Sequence, residues 1–346
     1  MKNVIGFFKT TAMGCRMLMT AIMLLVLPAA ALGYTEREYD TCLVEALHGA
    51  GDAVTVGALK RACSERLVGA QGEADPDMPA VSRRLTQESE TMDQPFVLTP
   101  HKPNYVIVAY NFSDPNVDPF KDQFPGLGDG VFKHTEAKFQ VSLKFPVAYD
   151  LFGSGGDLFF AYTNRSFWQV FQTDDVISAP FRETNHEPEA WLSFNNDWQF
   201  LGFTNRLNQV GLVHQSNGRA GELSRSWNRV FASFIFEREN LALGFKPWWR
   251  IPEDAATDDN PDIKDYLGNF ELLSVYKYKR NTFTAMGRHN LDFGSSRGAL
   301  QLDWSFPLHG RLRGYLQYFN GYGESLIDYN HNVSSLGIGL QLTDWL

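Results

Sequence analysis

From about residue 98 to the C-terminus, segments of roughly ten residues alternate apolar and polar side chains, and Gly, Asn, Asp and Pro clusters separate them. This texture constrains the fold more than any other feature of the chain. About twelve such segments can be placed, near 104–112, 135–146, 157–170, 184–195, 199–216, 225–237, 240–250, 266–280, 282–291, 297–306, 311–320 and 333–344. Successive side chains of a strand point to opposite faces, so alternation marks strands with one wet and one apolar side. Repeated to the end of the chain, it predicts an all-β protein, a 12-stranded antiparallel up-and-down barrel. An even strand number returns both barrel ends to the same side of whatever the barrel crosses.

The faces follow from parity. In the last segment Leu336, Ile338, Leu340 and Leu342 share one side, and Gly337, Gly339, Gln341 and Thr343 the other. In the sixth, Val230, Ala232, Phe234 and Phe236 fall together, opposed by Arg229, Ser233 and Glu237. A soluble barrel would turn the apolar set inward, but twelve strands enclose more space than side chains readily fill. The apolar set is therefore expected outside, against lipid. A mean hydropathy of -0.27 with 14% aromatic residues suits such a barrel, whose alternation cancels in any hydropathy window. A formal charge of -9 argues against nucleic acid as a partner.

The N-terminus has a different character. Lys2, Lys9 and Arg16 form a basic front, Met17 to Leu32 is apolar but broken by Pro28, and Ala29, Ala30, Ala31 and Gly33 are small. Residues 1–33 read as a secretory signal peptide. The competing reading is a membrane anchor, for which the run falls short of the roughly 20 residues a spanning helix needs. Export leaves Cys42 and Cys63 in an oxidising compartment, where a disulfide between two short helices is expected. Residues 64–98 are rich in Ser, Gln, Glu, Asp, Pro and Arg and read as a linker. The expected organisation is a signal peptide (1–33), a short, partly helical periplasmic extension and linker (34–98), and a transmembrane barrel (99–346).

Three polar residues break the apolar-outside rule. His214 and Ser216 share the parity of Val210 and Leu212, and Asn228 shares that of Val230 on the next strand. A histidine and a serine two residues apart lie on one face of a strand, and an asparagine across the pair can orient the imidazole. Serine needs such a base, because its free hydroxyl is a weak nucleophile. The residues alone leave a second reading open, polar side chains at the barrel rim among lipid headgroups.

The surrounding blocks decide between them by resemblance. His214-Gln215-Ser216-Asn217-Gly218-Arg219, followed by Ser224-Arg225-Ser226-Trp227-Asn228-Arg229, resembles the bacterial outer-membrane phospholipase A family. So do Pro180-Phe181-Arg182-Glu183-Thr184-Asn185, Lys246-Pro247-Trp248, Thr257-Asp258-Asp259-Asn260-Pro261-Asp262 and the run from Gly321 to Asn330. The resemblance implies a 12-stranded outer-membrane barrel that hydrolyses acyl esters of phospholipids and lysophospholipids with calcium. It makes Ser216 the nucleophile, His214 the base and then acid, Asn228 the orienting residue and Gly218 the source of an oxyanion-binding N–H. For calcium it implies the Arg219 carbonyl, the Ser224 hydroxyl, Asp259 and, from a second subunit, Ser178. It also implies a homodimer when active and a monomer when silent.

The chain departs from the family pattern at Gly221, where a carboxylate can stand near a second calcium site; at Asn164, where a glutamine can bond across the dimer; and at the terminal Trp345-Leu346, where Phe is usual. Without the resemblance, Asp258, Asp259 and Asp262 would read as a solvated loop, and Trp248 and Trp249 as an interfacial girdle. The alternative function is a passive pore or a structural barrel that has lost activity.

Overall fold

The computed structural model describes residues 36–49, 55–57, 59–60, 62–63, 78–92, 98–121, 131–153, 155–173, 178–309 and 312–346. The expected signal peptide, 1–33, lies outside the described residues. Twelve strands form the barrel: β1 (Asn104–Asn111), β2 (Thr135–Ala148), β3 (Asp157–Trp168), β4 (Phe181–Asn195), β5 (Phe203–Ser216), β6 (Ser226–Arg238), β7 (Leu241–Arg250), β8 (Phe270–Tyr278), β9 (Asn281–His289), β10 (Gly298–His309), β11 (Leu312–Tyr322) and β12 (Asn332–Thr343). Each pairs antiparallel with the next, and β12 returns to β1, with Ile338 opposite Val108, so the sheet closes. Closure leaves no long edge to pair with a stranger.

Burial confirms the expected polarity. On β12, Ile338 and Leu342 are 62% and 66% exposed, while Ser335 and Gln341 are 2% and 1% exposed. The apolar face is outside and crosses the membrane. Among the described residues no helix is long and apolar enough to do so.

The wide interior is occupied by aromatic, aliphatic and charged side chains together. Trp191, Trp227, Phe231 and Trp248 pack into one buried cluster with Ile263, Leu267 and Leu326. Trp248 thus belongs to the interior, not to the expected girdle. Trp249, on the other face, is 60% exposed and fits that expectation. Ion pairs fill the rest. Lys138 Nζ meets Glu324 Oε1 at 2.5 Å, and Lys246 Nζ meets Glu189 Oε2 at 2.8 Å. The Arg182 guanidinium bridges Glu136 at 2.9 and 3.0 Å and Asp328 at 2.7 Å.

Arg182 also explains why two separated sequence blocks belong together. Residues 323–331 leave β11 and fold into the barrel, burying Leu326 and Ile327. Their backbone N–H groups donate to Asn185 Oδ1 (3.0 Å) and Glu183 Oε1 (3.2 Å). Burial by itself would raise the Asp328 carboxyl pKa, but the Arg182 charge more than reverses this and holds it below its ordinary 3.8. A depressed carboxyl stabilises the fold above the unfolded value and ceases to do so as pH falls through the folded one. This link is therefore present at neutral pH and is lost only as pH falls below the ordinary carboxyl value of 3.8, through the lower folded one. Arg182→Met leaves two buried carboxylates without their cation. It is expected to destabilise the barrel by roughly 3–5 kcal/mol, read as a lower temperature for loss of the compact band in heat-modifiability gels.

Some boundaries differ from the sequence reading. The expected strand 199–216 is interrupted at Leu201 and Gly202, both at positive φ (49° and 79°). Gln199–Phe200 folds back on Phe203–Thr204, and β5 begins there. The expected strand 266–280 begins only at Phe270, because Ile263–Leu267 is a short helix that buries Ile263 and Leu267. One turn of helix and the start of a strand are alike in apolar content.

The largest difference is in the segment read as linker. The extension begins with helix α1 (Glu36–Gly49), and Cys42 and Cys63 are joined by a disulfide, as expected. Within the linker lies α2 (Ala80–Met92), which packs Val81 and Leu85 against Ala242, Val275 and the C-terminal Trp345 and Leu346. Its first turn is held by the Glu237 carboxylate, which accepts from the N–H groups of Val81 and Ser82 at 3.0 Å. A carboxylate suits the positive end of a helix dipole. Arg84 donates to the carbonyls of Pro100, Asp344 and Trp345 at 2.6 to 2.9 Å. The helix thus sits across the barrel end at which β1 starts and β12 finishes.

Candidate active site

The site lies on the outer face at the opposite end, where β4, β5 and β6 run side by side. On the β5–β6 hairpin His214 is directly opposite Asn228, and Ser216 opposite Ser226. The inner face of the hairpin is anchored. Gln215 Oε1 accepts from Trp227 Nε1 at 2.8 Å, and the Arg229 guanidinium stacks 4.0 Å from the Trp227 ring. The outer face therefore rests on a rigid backing.

His214 Nδ1 lies 2.9 Å from Asn228 Oδ1. An amide oxygen only accepts, so Nδ1 carries the hydrogen and Nε2 keeps its lone pair. Asn228 is oriented in turn, because its Nδ2 donates to Glu253 Oε1 at 3.2 Å. The tautomer left at His214 is the one a general base requires. Ser216 is two residues along the same face, about 7 Å from His214 along the strand, and no hydrogen bond joins the two side chains, the one side-chain partner of the His214 ring among the described residues being Asn228.

The loop after Ser216 is closed by Asn217, which is buried. Its Oδ1 accepts from the N–H groups of Arg219 (3.3 Å) and Arg225 (3.0 Å), and its Nδ2 donates to the Leu223 carbonyl at 2.8 Å. This staple forces the next residue, Gly218, into the left-handed region at φ 64°. A side chain there would be strained, which accounts for glycine at this position.

Of the calcium ligands implied by the resemblance, two meet. Ser224 Oγ donates to Asp259 Oδ2 at 2.5 Å. The neighbouring acid Asp258 has another task, an ion pair with Arg250 at 2.6 Å. Asn260 Oδ1 accepts from the Ser226 N–H and fixes the acidic loop to the start of β6. The Arg219 guanidinium reaches back to the carbonyls of Phe181 and Arg182 at 3.0 and 2.8 Å. Ser178 lies apart from this group in the β3–β4 loop, exposed and bridged to Thr173. Among the described residues no cluster of three or more His, Cys, Asp or Glu is arranged to hold a metal.

Asn217, Glu253, Asn260 and His186 are the residues that the candidate list from sequence missed. Asn217 sits inside the block His214–Arg219 and was within view. The other three come from separate segments and declare themselves only through cross-strand and loop contacts.

A closed barrel with an apolar outer face, carrying a serine, a histidine and an asparagine hydrogen-bonded to that histidine on the same face, fits a class: membrane-embedded barrel enzymes that work on lipid. The comparisons place the chain within it. The family model described as Phospholipase A1 matches residues 81–342, and the chain belongs to the phospholipase A1 family. It is 38% identical over 276 residues to a phospholipase A1 of Klebsiella pneumoniae, spanning 80% of this chain and 93% of that one. Its likeness to the outer membrane phospholipase A of Escherichia coli has a TM-score of 0.67 at 37% identity, over 72% of this chain and all of the other. An asparagine-to-alanine active-site mutant of that protein aligns equally well. So does a calcium-bound dimer of the Salmonella typhi outer membrane phospholipase, at the same TM-score and identity. The protein is accordingly an outer-membrane phospholipase that hydrolyses phospholipid esters.

Proposed function

We propose that hydrolysis proceeds through an acyl-serine formed on Ser216. His214 Nε2 takes the Ser216 hydroxyl proton as Oγ attacks the acyl carbonyl. The Gly218 N–H donates to the oxyanion that develops. His214 then protonates the departing glycerol oxygen, and in the second half it activates water to release the fatty acid. Asn228 holds the imidazole in its working tautomer and contributes no charge. The observation that carries this reading is the link from Glu253 through Asn228 to His214 Nδ1, which fixes the ring on the lipid-facing side. The active-site asparagine of the Escherichia coli relative supports it.

Calcium fits the chain's own residues. Ser224 and Asp259 bring two hard oxygens together, and oxygen is what calcium takes. With a single carboxylate the set is incomplete in one subunit, and the carbonyl of Ser178 of the partner subunit is the proposed completion. When bound, the cation supplies positive charge that favours the oxyanion. The site faces lipid, so a monomer offers an acyl chain one wall only, and a second barrel supplies the other. The enzyme is thus active as a homodimer on phospholipids and lysophospholipids and silent as a monomer. The calcium-bound dimer of the Salmonella typhi relative supports this. The start of β1, the end of β12 and α2 lie at the end opposite the site, which supports an extension in the periplasm and a site toward the outer leaflet.

The test is fatty-acid release by Asn228→Ala. The imidazole keeps its chemistry and loses only its fixed orientation. The expected loss is well below the roughly 10²–10⁴-fold that a positioned acid–base group contributes. An Asn228→Ala enzyme as inactive as one without Ser216, yet fully folded, would require a larger role for Asn228.

A further inference from the structure

A second histidine borders the nucleophile from the other side. On the β4–β5 pair His186 is the direct partner of Ser216, with its side chain on the same outer face. Directly opposed side chains have Cβ atoms about 5 Å apart. A methyl group built on Gly218 would lie 3.6 Å from His186 Cδ2 and 3.7 Å from Nε2. The Nε2 edge of the ring therefore overhangs the turn from Ser216 to Gly218, where the oxyanion forms.

The protonation pattern of this ring is set by its neighbours. Tyr162 Oη is 2.6 Å from His186 Nδ1, and Asn164 Nδ2 is 3.3 Å from the same nitrogen. The Asn164 amide is oriented by Ser166, whose hydroxyl donates to Asn164 Oδ1 at 3.0 Å, so its NH2 faces the imidazole. An NH2 group can only donate. Nδ1 of the neutral ring is thus the acceptor, and Nε2 carries the hydrogen. This is the opposite tautomer to that of His214. One ring presents a lone pair to the nucleophile, and the other presents an N–H beside it.

We infer that His186 is a further catalytic residue, which donates from Nε2 to the oxyanion alongside the Gly218 N–H. This rests on Ser216 being the nucleophile. Ser166, Asn164 and Tyr162 are positioning residues that act through the ring. On a face that excludes water, such a donor acts in low dielectric and is worth more than in solution.

The experiment compares His186→Gln, which keeps an N–H donor, with His186→Leu, which has none, on a dispersed phospholipid in detergent with calcium. Folding is checked by heat-modifiable migration and the integrity of Ser216 by fluorophosphonate labelling. His186→Leu should lower kcat by about 10²-fold with KM nearly unchanged, the pattern of an interaction made only in the transition state. His186→Gln should recover at least a tenth of the lost rate. Paired Tyr162→Phe and Asn164→Leu changes, which leave the ring but free its tautomer, should lower kcat several-fold. Equal kcat for His186→Gln and His186→Leu, or a loss confined to KM, overturns the donor role and makes His186 part of the acyl-chain wall. Activity that survives Ser216→Ala is a different failure, that of the nucleophile.

Discussion

Ser216→Ala is expected to lower fatty-acid release by about 10⁴-fold or more, the scale on which removal of a triad nucleophile acts, with barrel assembly unchanged. Ser216 is half-buried on the outer face, and its hydroxyl contributes no packing to the interior clusters. The change should therefore leave the heat-modifiable migration of the wild type. The measurement is calcium-dependent release of fatty acid from phospholipid by the purified variant. Turnover near the wild-type rate would remove Ser216 from the mechanism and leave the barrel as the passive structure that its polar interior also suits.

The barrel was legible because alternation is a one-dimensional signal. The parity of Leu336, Ile338, Leu340 and Leu342 states which face meets lipid before any strand is paired. The same parity brings out His214, Ser216 and Asn228 as exceptions. Register was not legible, and much of the site depends on it. That His186 stands opposite Ser216 follows from the β4–β5 pairing, which no local pattern reports. Glu253 and Asn260 reach the site from the loop after β7, far from the triad in sequence. Helix α2 was read as linker for a related reason. Only Val81 and Leu85 form its apolar contact, and much of the rest that holds it is polar and distant: Arg84 binds carbonyls at the far end of the chain, 260 residues on in the case of Asp344. The interior was underestimated because charge fills it. Arg182, Glu136 and Asp328 occupy space that a count of apolar residues leaves empty.

Removal of calcium is the second large effect. Chelation of the purified enzyme in detergent is expected to lower hydrolysis by about 10²–10³-fold, the scale of a lost oxyanion-stabilising interaction, and to convert crosslinkable dimer to monomer in step. Adding calcium back should restore both together. Asp259→Ala should shift the calcium requirement upward, because it removes the one carboxylate that meets Ser224. Arg250→Ala, beside Asp258, acts on the acidic loop and provides a control for its folding. Asn164 bears on the interface, since its amide is already engaged with His186 and Ser166 inside one subunit. The pairing of two barrels is thus expected to rest on apolar contact and the shared cation, without help from that amide. A monomeric, calcium-free preparation with full activity would overturn the activation mechanism and leave Ser216 and His214 in place.

The central claim is that ester chemistry takes place at Ser216 on the lipid-facing side of the β4–β6 region. Its most direct test is mass spectrometric mapping of the active enzyme after treatment with a long-chain fluorophosphonate. The account predicts a single adduct on the peptide containing Ser216, formed in proportion to lost activity, dependent on calcium and suppressed by excess phospholipid. Full inactivation with the adduct on another residue, or stoichiometric labelling of Ser216 with activity intact, would contradict it.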